Sequence, residues 1–265
     1  MKKAGSTVLL IFCFTGVLIA QDLSSFEKQV LISGKDTLRY RIMYPANHRP
    51  EKKYPLIVFL HGSGERGNDN DLQLKHGGKL FAREDVRNDH PAIVIFPQCP
   101  KDSAWSRFKR GPKMNEWFYD ATLTATTPAL LVKKLMDSLI NIGKADKKRM
   151  YIGGLSLGGM GTYDMLVRYP GFFAAAFPIC GATDVNTFIA QAGPVPMWMF
   201  HGAEDAVVPP TFNRDLYKGL MEKGARNVQY TEYPGVNHNS WDNAFAEADL
   251  LPWIMSKKKK KNPTW

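Results

Sequence analysis

Cysteine is scarce in this sequence, with three residues in 265. That excludes a disulfide-stapled scaffold, in which a short chain is dense in cysteine. There is also no uninterrupted apolar run of ~20 residues, the length a membrane-spanning helix needs. No internal repeat is evident, which excludes a solenoid or propeller array. Acidic residues are outnumbered, 25 against 35 basic ones, for a formal charge of +10. The excess sits at the ends. Lys2, Lys3 and the five lysines 257–261 supply seven of the ten charges, leaving +3 for the body of the chain. A domain so nearly balanced gives no reason to expect a nucleic-acid partner.

The N-terminus has the layout of a secretory signal peptide over residues 1–20. Lys2 and Lys3 precede a largely apolar stretch from Val8 to Ala20, and a polar segment starts at Gln21. Leu18, three positions before that cut, is larger than such a site prefers. An uncleaved anchor is the alternative, and the shortness of the stretch argues against it. A lipoprotein is disfavoured because Ile11 and Phe12, not small residues, precede Cys13. The expected location is therefore secreted or periplasmic, with no stable membrane span after cleavage. The lysine run opens a basic tail, 257–265, expected to be a flexible solvated appendage. With 44% hydrophobic and 12% aromatic residues, the remainder, 21–256, has the composition of one globular domain.

Within it, strand-like runs cover 29–33, 37–44, 55–60, 92–97, 149–153, 173–180, 196–201 and 228–233. The first two are joined by Gly34-Lys35-Asp36, a hairpin signal. Most of the others are continuously apolar, as suits strands covered on both faces of a mostly parallel sheet. Helical spacing is expected over 128–142, 157–169, 211–223 and 241–255, the last with a break near Pro252. The alternation predicts an α/β fold: a mostly parallel central sheet, helices on both faces and an N-terminal antiparallel hairpin. Residues 98–121 lack periodicity, and a loop that long in a compact domain is often functional.

The strongest local signal is Gly154-Leu155-Ser156-Leu157-Gly158-Gly159, directly after an apolar strand and before a helix. A serine on such a strained strand-to-helix turn needs glycine two residues to either side, because side chains there would clash. The helix N-terminus then points free N–H groups at a developing oxyanion. A nucleophile needs a base, and the base an orienting acid, in the order serine, acid, histidine. Asp205, on the loop after the strand ending at His201, is the expected acid, with Glu204 pointing elsewhere. His238, on the loop after the last strand, is the expected base. His48, His76 and His90 lie before the elbow, and His201 is expected to brace the Asp205 loop. Upstream, His61-Gly62-Ser63-Gly64-Glu65-Arg66-Gly67 follows another apolar strand. The N–H groups of Ser63 and Leu157 are the expected oxyanion donors. His61 is expected to hold this loop, and Glu65 and Arg66 to clamp it by pairing with each other.

On these four segments (60–67, 154–159, 201–205 and 238–241), together with Pro97-Gln98-Cys99-Pro100 and Trp105, the chain resembles the α/β-hydrolase superfamily. Within it, the resemblance is to the phospholipase/carboxylesterase and polyhydroxybutyrate-depolymerase-like branch, which includes feruloyl and acetylxylan esterases. It covers about residues 30–255. It implies a catalytic domain over 21–256 in which Ser156, Asp205 and His238 form a triad. In that fold Cys99 and Cys180 end strands separated by two others, roughly 14 Å apart. A disulfide needs Cα atoms within about 7 Å, so free thiols are expected.

The expected activity is hydrolysis of carboxylic esters through an acyl-enzyme, with no metal or organic cofactor. Secretion and the aromatics Trp105, Trp117 and Trp241 point to an acyl-decorated substrate, such as an acetylated or feruloylated plant polysaccharide or its fragments, with the rings as a stacking surface. A peptidase acting on short peptides and a non-catalytic binding protein of the same fold are the alternatives.

Overall fold

The computed structural model describes residues 23–111, 116–120 and 122–260. The segment 1–20, expected to be a signal peptide, and the end of the tail, 261–265, lie outside the described residues. The chain begins with the expected hairpin, β1 (Glu27–Ser33) and β2 (Asp36–Met43). Gly34 takes φ 62° at the turn, a left-handed conformation that costs a glycine nothing. Next come β3 (Tyr54–Leu60), two short helices α1 (Gly78–Ala82) and α2 (Glu84–Asp89), and β4 (Ile93–Gln98). Among the described residues, the aperiodic stretch carries a two-residue ladder, β5 (Lys109–Arg110) with β6 (Trp117–Phe118). Regular alternation then resumes with α3 (Thr127–Asn141), β7 (Ala145–Leu155), α4 (Leu157–Arg168), β8 (Ala175–Ile179), α5 (Val185–Gln191) and β9 (Met197–Gly202). It closes with α6 (Thr211–Glu222), β10 (Val228–Tyr233), α7 (Trp241–Ala246) and α8 (Leu250–Met255).

Eight strands form one sheet in the order β1-β2-β4-β3-β7-β8-β9-β10. β1, β2 and β4 pair antiparallel, and every pairing from β4 to β10 is parallel. The expected architecture is the one observed. β3 shows why its run is continuously apolar. Leu56, Val58 and Leu60 face one core layer with α3 to α6, while Ile57 and Phe59 face the other with α1, α7 and α8. The chain steps from β3 outward to β4, then crosses back to β7 on the other side of β3. Loops leaving β3 and β7 therefore diverge and open a crevice at the carboxyl ends of the strands, where ligands of open α/β sheets bind.

One expectation is corrected. The last helical segment is two helices, and its break falls at 247–249. Pro252 sits inside the first turn of α8, where its missing N–H is not needed. α1, α2 and α5 were not legible, because five to seven residues give too few turns to show a period. Among the described residues no helix is long and apolar enough to cross a membrane.

Candidate active site

Ser156 lies between β7 and α4 with φ 52° and ψ −116°. A residue with a side chain is held there at a cost of order ~1–3 kcal/mol. Its N–H donates to Ile179 O at 2.9 Å, and its carbonyl accepts from Met160 N–H at 3.0 Å. The flanking glycines are required by contact as well as by strain. A Cβ on Gly154 would lie 2.4 Å from Gly158 O, and one on Gly158 would lie 1.9 Å from Leu60 O. The backbones of β3 and the first turn of α4 thus touch, which sets the loop after β3 beside the serine.

Ser156 Oγ donates to His238 Nε2 at 2.8 Å, and His238 Nδ1 donates to Asp205 Oδ2 at 2.7 Å. Asp205 is buried, and Ser156 and Leu157 are partly exposed. Burial pushes the Asp205 carboxyl up, but hydrogen bonds from His201, His238 and the Val208 N–H outweigh it and hold the group well below the ordinary carboxylate range. The loops of acid and base close on each other because position 202 is glycine. A Cβ there would lie 2.1 Å from Asn237 O.

His201 braces the acid, as expected. Its Nε2–H reaches Val208 O at 2.9 Å and Asp205 Oδ2 at 3.2 Å. Asn213 Nδ2 donates to His201 Nδ1 at 2.9 Å, and Tyr163 OH donates to Asn213 Oδ1 at 2.7 Å. Tyr163 and Asn213 were missed. Each sits on a helix with an ordinary amphipathic pattern, and only the completed fold aims them at His201.

Ser63 and Leu157 are the first residues of a short 3-10 turn and of α4, positions whose N–H groups have no partner within the helix. His61 holds the loop from below. Its Nε2 accepts from Cys99 N–H at 2.9 Å, so Nδ1 carries the proton and donates to Gly62 O at 2.6 Å. Burial lowers the His61 pKa to about 4. The expected Glu65–Arg66 pair does not form. Glu65 is buried and faces His76, Oε1 to Nε2 at 3.5 Å, while Arg66 donates to Ser63 O and Ser103 O, both at 3.1 Å. Adjacent side chains on a turn diverge, and each finds its partner across the fold.

The three tryptophans separate. Trp105 is corrected: it is 0% exposed and donates to His61 O at 3.0 Å, which leaves no face for a ligand to stack on. Trp241 is partly exposed and stands between His76 and His238, with ring centroids 5.0 and 5.7 Å away. Trp117 stacks on Phe108 at 5.4 Å and meets Phe212 edge-on at 5.4 Å. That cluster rests on Met160, one turn after Ser156, and on Val208.

Cys99 and Cys180 are buried and free, on β4 and β8 ends with β3 and β7 between them. Cys180, Asp205 and His238 offer ligand atoms within 4.8 Å of one another, the one such trio among the described residues. The pair Asp205–His238 is already committed to its own hydrogen bond, and burial raises the Cys180 thiol above its usual range. A thiol held protonated is a poor metal ligand.

The family model for phospholipase/carboxylesterase matches residues 46–250. The chain is 28% identical to a poly(3-hydroxyoctanoate) depolymerase of Pseudomonas fluorescens over 250 residues, 87% of this chain and 84% of that one. It is 26% identical to a bifunctional acetylxylan esterase/xylanase of Neocallimastix patriciarum over 164 residues, 62% of this chain and 21% of that one. The crystal structure of a thermostable esterase superposes with a TM-score of 0.78 at 34% identity, covering 89% of this chain and 64% of that one. The chain thus spans less than a quarter of the length of some curated relatives and more than four fifths of others.

Proposed function

The chain belongs to the phospholipase/carboxylesterase family, and from that premise we propose that it is a secreted serine hydrolase of carboxylic esters. The observation that carries this is the unbroken hydrogen-bond chain from Ser156 through His238 to Asp205, anchored on a strained elbow. His238 takes the Ser156 proton as Oγ attacks the ester carbonyl. Asp205 keeps the ring in the tautomer that accepts at Nε2 and stabilises the imidazolium that forms. The Ser63 and Leu157 N–H groups receive the oxyanion. His238 returns its proton to the leaving alcohol, then draws one from the water that cleaves the acyl-enzyme.

The preferred substrate is an acyl-decorated carbohydrate, carrying acetyl or feruloyl esters. Three things support it: the Trp241 ring beside His238 and the Trp117 ring in the cluster on Met160, the acetylxylan esterase among the relatives, and the N-terminal targeting pattern. Trp117 and Trp241 act as the stacking surface for sugar or phenolic acyl rings. No cofactor takes part in this scheme.

The test is hydrolysis of acetylated xylan, methyl ferulate, short-chain nitrophenyl esters and a set of short peptides by the purified chain, with fluorophosphonate labelling of Ser156. Labelling that survives Ser156→Ala would overturn the nucleophile. Peptide cleavage without ester cleavage would move the reading to a peptidase, and a chain that neither labels nor hydrolyses would be a binding protein.

A further inference from the structure

The basic tail does not leave the domain where the last helix ends. Tyr151 OH donates to Lys257 O at 2.7 Å, and Lys259 N–H donates to Lys148 O at 2.9 Å. The Lys257 ammonium stands over the Trp253 ring and that of Lys259 over Phe172, at 4.8 and 5.6 Å from the centroids. Residues 257–260 are thus laid in extended form along the amino ends of the parallel strands, with Lys257 and Lys259 turned inward and Lys258 and Lys260 outward.

There Lys258, Lys259 and Lys260 rim a cavity of about 160 Å³. Its lining includes Pro194 and Pro196 on the loop entering β9, with the buried Phe173 beneath, and Arg226 on the loop entering β10. Among the described residues, neither Arg226 nor Lys258, Lys259 or Lys260 forms an ion pair. The neighbouring carboxylates are spent: Asp137 on Lys133 and Asp146 on Arg149. Burial, with Lys147 and Lys133 nearby, pushes the Lys259 ammonium below its usual range. Four cations around one concavity repel each other, and an anion seated between them removes that cost.

We propose that this cavity is a binding site for an acidic polysaccharide, a chain bearing uronate rings. A pyranose ring lays its apolar face on the partly exposed Pro194 and Pro196, and its carboxylate falls between Arg226 and the lysines. The concave shape favours a ring-sized anionic unit over a flat lipid surface. The site lies at the end of the sheet opposite Ser156, roughly 20 Å away along a six-residue strand. It would hold the protein on a polymer while leaving the serine face free. The proposal does not depend on the hydrolase reading, because binding is measured without turnover.

The test is calorimetric titration of the whole chain with oligogalacturonate, with a neutral xylo-oligosaccharide of equal length and with phosphatidylglycerol vesicles. The variant Arg226→Gln/Lys258→Gln/Lys259→Gln/Lys260→Gln is measured beside it. The expected result is binding of oligogalacturonate alone, weakened about tenfold or more in the variant and weakened by salt. Hydrolysis of a soluble nitrophenyl ester by the variant should be unchanged, which shows that it folds. Ser156→Ala should bind as the parent does. Equal binding of the neutral oligosaccharide, undiminished binding by the folded variant, or capture by vesicles in place of oligogalacturonate would each overturn it.

Discussion

One carboxylate oxygen of Asp205 serves two imidazoles: Oδ2 lies 2.7 Å from His238 Nδ1 and 3.2 Å from His201 Nε2. The other oxygen, Oδ1, accepts from the N–H groups of Val207 and Val208, at 2.8 and 2.9 Å. The acid is therefore fixed from four directions. The relay Tyr163–Asn213–His201 stands behind it, buried throughout.

Removing the far end of that relay should disturb the near end. Asn213→Ala strands the His201 Nδ1 lone pair and the Tyr163 hydroxyl in the core, a cost of about 1–3 kcal/mol for each unsatisfied group. We expect a lower melting temperature, and a fall in kcat larger than any change in KM, since the reach is through His201 to Asp205. Asn213→Asp offers no donor to Nδ1 when ionised and should not rescue. A kcat equal to the parent's would show that His201 needs no orienting partner.

Acid should weaken the fold through His61. Its folded pKa of about 4 lies below the unfolded value of ~6.5. The unfolded chain therefore binds more protons between those limits, and stability is lost as pH falls from ~6.5 to ~4. The linked loss is on the order of 3 kcal/mol. His76, lowered by burial as well, and Asp205, lowered by its hydrogen bonds, contribute alike to parent and variant, so the difference between the two from pH 7 to 4.5 reports on His61. Urea midpoints of the parent and of His61→Gln, taken from pH 7 to 4.5, should converge. Parallel slopes would refute the assignment.

Gly158→Ala should be among the most damaging single methyl groups the chain can receive. The new Cβ would meet the Leu60 carbonyl at 1.9 Å, backbone against backbone, with no flexible side chain to yield. We expect a loss of at least ~3 kcal/mol from overpacking, read as a fall in melting temperature or failure to accumulate soluble protein. Gly64→Ala, where a Cβ meets nothing within 4 Å, is the control and should fold.

The tryptophans should divide by readout. Trp105→Phe removes a buried N–H bond to His61 O and volume from the core, and should lower stability by about 1–3 kcal/mol. Trp117→Ala removes a half-exposed ring, and should raise KM about fivefold or more for aromatic acyl esters, about 1 kcal/mol of ring contact, with acetyl esters little changed. Melting curves and paired steady-state kinetics separate the two, and a thermal loss without a KM change at Trp117 would make that ring packing alone.

The sequence by itself determined what local chemistry dictates. A serine between Gly154 and Gly158 has few other ways to be built, and the strands before it alternate between two core layers because both their faces are covered. The order of Ser156, Asp205 and His238 along the chain also sufficed to choose the acid and the base, since each stands on a loop that follows a strand. What tertiary structure decided are contacts between segments far apart in sequence: Glu65 with His76 and not Arg66, His201 between Asp205 and Asn213, Trp105 sealed beneath His61, and Lys259 fixed on Lys148. Adjacency of that kind follows from which strands end as neighbours and which helix faces turn inward. A residue's own neighbours in the chain carry no record of it.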